Sequence, residues 1–148
     1  MTLALVRPGS WDFPLFLHVL GAVVLFGGTA TVATLATASL GGGRTQAPLL
    51  RQLAFVTMLA VVWPAWVVMR VGADWILTKE GLDKDTPGWV GAGMAVSDPG
   101  IIVLLLLTFL AWLVRRRPRA GPILAGLAIL YVLALGVAWF AMTAKPGS

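Results

Sequence analysis

Four long apolar runs, about residues 13–40, 49–71, 97–114 and 122–142, decide what this chain can fold into. A helix that crosses the hydrocarbon core of a bilayer needs about 20 predominantly apolar residues. Only 11% of the 148 residues are charged, against about 25% in soluble domains, and 59% are hydrophobic. Such a chain cannot keep its apolar surface out of water by folding on itself, so lipid is its solvent. The expectation is an all-α membrane protein of one domain over residues 1–148. Its four transmembrane helices form an antiparallel bundle, with a short extracytoplasmic cap between helices 2 and 3.

Residue types narrow the chemistry. There are no cysteines, which excludes disulfides, thiolate metal sites and CxxC redox chemistry. A single histidine excludes a multi-histidine metal cluster within one chain. The first run exceeds the roughly 7–15 apolar residues of a signal peptide. It is therefore read as a retained span, although Ala36-Thr37-Ala38 would pass as a cleavage site.

Breakers and caps mark the spans. Pro8-Gly9 and Ser10-Trp11-Asp12 precede the first helix, and Gly41-Gly42-Gly43 ends it. Small residues crowd its second half, and small side chains let helix backbones approach in lipid. In the second span, Pro64 of Trp63-Pro64-Ala65-Trp66 lacks an N–H and clashes with the carbonyl of Ala60, so a kink is expected there. The span is expected to leave the membrane at Arg70, which pairs with Asp74 at i, i+4. Residues 70–98 should lie on the surface as the cap, with a turn at Thr86-Pro87-Gly88-Trp89. Ser97-Asp98-Pro99 reads as the start of the third helix. Arg115-Arg116-Arg117-Pro118-Arg119 stops that helix, and Tyr131 sits near the middle of the fourth, where a hydrogen bond within the bundle is expected.

Charge sets an orientation. The 40–51 and 115–121 loops carry Arg44, Arg51, Arg115, Arg116, Arg117 and Arg119 and no acid. All six acids (Asp12, Asp74, Glu80, Asp83, Asp85 and Asp98) fall on the other side. Short cytoplasmic loops are rich in Lys and Arg, so both termini and the cap are placed outside a bacterial inner membrane. The arginine cluster is a topology anchor that meets anionic lipid. No aromatic stacking platform stands beside it in the sequence, so nucleic acid is not an expected partner.

The remaining handle is His18. It lies six residues below Asp12, about 9 Å along a helix. The same count back from Arg70 lands on Pro64, so His18 is expected beside Trp63, Pro64 and Trp66. On its own helix it shares a face with Gly21, Ala22, Leu25, Gly28 and Thr29, which points it into the bundle. An ionisable side chain at that depth is costly unless partnered. The candidate site is His18, Trp63, Trp66, Arg70 and Asp74, packed through Gly21, Gly28 and Pro64. Three roles stay open for His18. It locks two helices through a carbonyl freed by Pro64 or through a hydroxyl. It ligates haem b or a metal, with a methionine (Met69, Met94 or Met142) or His18 of a second copy as the other ligand. Or it contacts a proton or solute in a transport path. The residues require neither a resident metal nor a cofactor, and they show no catalytic pair.

Leu17-His18-x-Leu20-Gly21-Ala22 followed by Gly27-Gly28 resembles the opening helix of a bacterial integral-membrane family catalogued as domain of unknown function 2269. Arg70-Val71-Gly72-Ala73-Asp74-Trp75 and Pro87-Gly88-Trp89-Val90 extend the likeness. The resemblance implies a four-helix membrane fold and no particular activity. The opening helix is also similar to that of copper-resistance D membrane domains, which carry further histidines that this chain lacks. The function expected from the sequence is that of an integral membrane protein of unassigned activity with a small site around His18. A haem or metal redox protein working as a homodimer, a small transporter and a subunit of a membrane complex are the alternatives.

Overall fold

A computed structural model of the protein describes residues 12–80 and 88–144. Helix α1 spans Asp12–Gly41. The second span is built from α2 (Gln46–Thr57), a π-helical turn (Met58–Val62) and α3 (Trp63–Glu80), which follow one another without a break. Helix α4 spans Gly88–Arg116, and a 3-10 turn at Pro118–Ala120 leads into α5 (Gly121–Ala144). Four helices are long and apolar enough to cross a membrane, so this is a multi-pass membrane protein.

Helix α1 begins with Asp12 and Pro14 in its first turn, where an acid meets the positive helix end and a missing N–H costs nothing. Lipid offers its hydroxyls no partner, and they bond inward. Thr29, Thr31, Thr34 and Thr37 each donate to the carbonyl four residues back, at 2.7–2.9 Å.

The kink expected at Pro64 takes the form of a widened turn. The N–H of Trp63 bonds to the carbonyl of Met58, five residues back. Admitting one extra residue just before a proline moves the carbonyl its ring would strike, which relieves the clash without ending the helix.

Two boundaries differ from the sequence reading. Helix α3 continues past Arg70 to Glu80, and α4 is already helical from Gly88, so much of the 70–98 connection prolongs the spans. Thr86 and Pro87 of the expected turn lie outside the described residues. Ser97-Asp98-Pro99 is therefore interior to α4 and starts nothing. The Ser97 hydroxyl is engaged by Arg70 and Asp98, which leaves it unable to cap.

The four spans pack in a ring, α1 beside α2, α3 and α5, and α4 beside α5 and α2. Neighbours run antiparallel. Gly21 faces Met69, Gly72 faces His18, and Gly28 faces Val61 and Val62. A methyl group on Gly21 would stand 2.6 Å from the Met69 Cα, and one on Gly72 would stand 2.9 Å from the His18 Cα. Backbones this close require glycine on both sides of the crossing. Leu25, Val32, Met58, Val62, Leu104, Leu107 and Leu124 fill the centre, while Phe16, Ile102, Leu130 and Phe140 face outward.

Candidate functional site

Around His18 the four spans part. A half-open cavity of 370 Å³ lies at the end of the bundle that carries Asp12 and Ala144. Its wall runs from Leu15 to Phe26 on α1 and from Tyr131 to Thr143 on α5, with Met69, Arg70 and Leu77 from α3 and Met94 and Ser97 from α4. The lining is apolar apart from His18, Arg70, Ser97, Tyr131, Thr143 and the indole N–H of Trp139. Small-molecule sites occupy about 300–1,000 Å³, so the volume suits one small ligand.

His18 is half-buried on this wall, and its Nδ1–H donates to the carbonyl of Met69 at 3.1 Å. A carbonyl can only accept, so in the neutral ring the proton sits on Nδ1. Nε2 is thereby left as a lone-pair acceptor, and it has no protein partner among the described residues. The bond joins α1 to α3, as a helix lock should. The acceptor, however, is not a carbonyl freed by Pro64. Counting from Arg70 as the membrane exit misplaced the register, because α3 runs on to Glu80 and His18 comes level with Gly72.

Trp63 and Trp66 therefore lie deeper than His18 and outside the cavity wall. Both turn to α4. The Trp63 indole donates to the Thr108 hydroxyl at 2.9 Å, and the Trp66 indole donates to the Ser97 carbonyl at 3.4 Å. Their rings meet edge to face at 6.1 Å. These tryptophans brace α3 against α4 and leave Pro64, on the exposed side, out of the crossing.

Arg70 sits at the rim of the cavity. Its Nη1 lies 2.6 Å from Asp98 and donates to the Ser97 hydroxyl at 3.1 Å, while its Nε lies 3.4 Å from Asp74. The expected Arg70–Asp74 pair is present and is the longer of two. Asp98 and Ser97, which sequence reasoning assigned to a helix cap, are the partners it missed. Nothing in a linear pattern connects residues 70 and 98, because the pairing depends on α4 starting a turn and more earlier than the proline suggests. Two carboxylates around one guanidinium leave the cluster with one net negative charge.

Tyr131 closes the inner end of the wall. Its hydroxyl is buried and has no hydrogen-bond partner among the described residues, contrary to the bond expected within the bundle. It presses on Gly100, where an added methyl group would lie 2.6 Å from the phenolic oxygen. At the opposite end of the bundle, Arg115 covers the ring of Phe55 and Arg116 covers that of Trp112, each at 4.8 Å. The arginines thus find aromatic faces within their own chain, which holds their stems against the bundle.

No family model, curated protein or solved structure matches the chain.

Proposed function

We propose that this is a multi-pass protein of a bacterial cytoplasmic membrane that binds a small, membrane-soluble molecule in the His18 cavity. Both termini and the cavity face outward, on the strength of the arginine-rich loops at the other end. The reading is of a binding or carrier module with no catalysis of its own. The observation that carries it is the 370 Å³ space, with the chain's single histidine on its wall and Nε2 of that ring unengaged. A histidine used only as a lock would be expected against packed side chains. Here it borders a cavity that every span helps to form. Membership of the domain of unknown function 2269 family fits this reading and remains a proposal resting on the residues of the opening helix.

Ala73 of α3 also lines the cavity, and the test compares the wild type with Ala73→Phe, which puts a ring into the wall. Organic extracts of both purified proteins are compared by mass spectrometry. A molecule retained by the wild type and lost from the variant supports a ligand site. Identical extracts from the two proteins would sink the reading. Reporter fusions at residue 144 check the orientation.

One observation favours a second reading. Met69, Met94 and Met142 line the same cavity as His18. Imidazole with thioethers suits haem iron or a soft monovalent metal, and a histidine that ligates through one nitrogen commonly donates the other N–H to a carbonyl. A Soret band, or a metal at one per chain that His18→Ala abolishes, decides for it.

A further inference from the structure

The cavity's length and the unengaged Nε2 of His18 near its outer end narrow the ligand class. Resting on the binding reading above, we propose that the occupant is a chain amphiphile with an uncharged hydroxyl head. The hydroxyl donates to Nε2 of His18, and the chain runs inward toward Tyr131.

Three observations converge. The first is shape. The wall follows α1 from Leu15 to Phe26 and α5 from Tyr131 to Thr143, roughly 17 Å of helix at 1.5 Å per residue. The cavity is therefore elongated, and an extended apolar chain can lie along it.

The second is hydrogen-bonding sense. The Met69 carbonyl fixes the His18 proton on Nδ1, so the ring presents an acceptor and selects a donor from the ligand. Arg70 is engaged by Asp98, Asp74 and Ser97, and Thr143 by the carbonyls of Trp139 and Phe140, while the Trp139 indole packs edge to face on Phe26, farther in. His18 lies toward the end of the cavity nearest the start of α1, where an amphiphile in a bilayer keeps its head.

The third is charge. Among the described residues the one cation on the wall, Arg70, is held by two carboxylates. A fatty-acid anion or a phosphate head finds no free cation there, and among the described lining residues no Asp or Glu stands to hold a cationic head.

The experiment uses the full chain in phosphatidylcholine nanodiscs and four terminally brominated C12 probes, which quench tryptophan on contact. These are 12-bromododecan-1-ol, its methyl ether, 12-bromododecanoate and 1-bromododecane. Quenching in the Ala73→Phe protein is subtracted as the lipid-phase background. The alcohol should bind about tenfold more tightly than the ether, which keeps the oxygen but lacks the donor, as expected for one hydrogen bond in apolar surroundings. The preference should vanish in His18→Phe, and the carboxylate should bind more weakly than the alcohol. A ¹⁵N spectrum of the single histidine gives a readout independent of affinity. It should show Nδ1 protonated, with the Nε2 resonance moving when the alcohol is added. Saturable binding in which alcohol and ether are equal, or a histidine protonated on Nε2, overturns the hydroxyl-head inference and leaves the cavity reading standing. Failure of every probe to bind the wild type above the Ala73→Phe background overturns both.

Discussion

Gly21→Ala should break the crossing on which the site depends. The added methyl carbon would stand 2.6 Å from the Met69 Cα and 2.8 Å from its Cβ. Carbon atoms rest at about 3.5–4.0 Å, so the two backbones must part by about 1 Å. Overpacking of this kind costs about 1–3 kcal/mol, and backbone atoms cannot swing aside as a side chain would. Parting the helices also stretches the His18–Met69 bond beyond its 3.1 Å, a loss of about 1 kcal/mol. Alanine's better helix propensity returns up to about 1 kcal/mol. The net expectation is a loss of about 1–3 kcal/mol. Gly27→Ala is the internal control, because nothing lies within 4 Å of a methyl group there. It should be neutral or stabilise by up to about 1 kcal/mol. Gly72→Ala should cost about as much as Gly21→Ala. The double variant should cost less than the two together, since the same separation admits both methyl groups. The assay is reversible unfolding in mixed micelles against a denaturing detergent, with the histidine ¹⁵N spectrum reporting the bond. If Gly21→Ala leaves stability within about 0.5 kcal/mol of the wild type, or if Gly27→Ala does equal damage, the close-crossing argument is wrong.

Three further outcomes can be measured in the same system. Tyr131→Phe should leave stability unchanged or raise it by about 1 kcal/mol, because it removes a buried hydroxyl without a partner; a loss would show that the oxygen is satisfied after all. Trp63→Phe and Thr108→Val should each destabilise by about 1 kcal/mol, and their double-mutant cycle should return a coupling near that of one hydrogen bond; strict additivity would remove the 2.9 Å contact as a brace. Asp98→Asn should weaken the rim more than Asp74→Asn, because it takes the shorter contact to Arg70. Both effects should stay below about 1 kcal/mol and shrink with added salt, since the three side chains are partly exposed; equal losses at low and high salt would mean the charges are not what holds the rim.

The spans were legible because apolar length alone separates a membrane helix from its loops. The antiparallel arrangement followed from short connections, and on the small-residue face of α1 Gly21 lies against Met69 and Gly28 against Val61 and Val62. The register was not legible. It depends on where α3 ends, and the charged residues after Arg70 read equally well as a surface cap or as more helix. That ambiguity moved His18 from Gly72 to Pro64 and hid its true acceptor. Ser97 and Asp98 were misread for a related reason. A serine, an acid and a proline in succession are a strong local start signal, but the signal cannot know that the preceding residues are already helical and that Arg70 will claim the same hydroxyl. Gly72 was passed over because a single glycine in a polar-flanked segment says nothing until its opposite number, the His18 backbone, is known.

The widened turn at Met58–Val62 has a consequence for how this chain tolerates change in length. Each residue of a regular helix advances the azimuth by about 100°. The extra residue therefore offsets the facing of α3 from that of α2 by about that angle. Both halves of the second span can thus keep a face on α1 while α2 also packs on α4. Removing one residue from this turn would hardly shorten the span, but it would swing Met69 and Gly72 away from α1 and carry Arg70 off the cavity rim. A deletion and a compensating insertion on either side of residues 58–62 should restore one another, whereas two deletions on the same side should not.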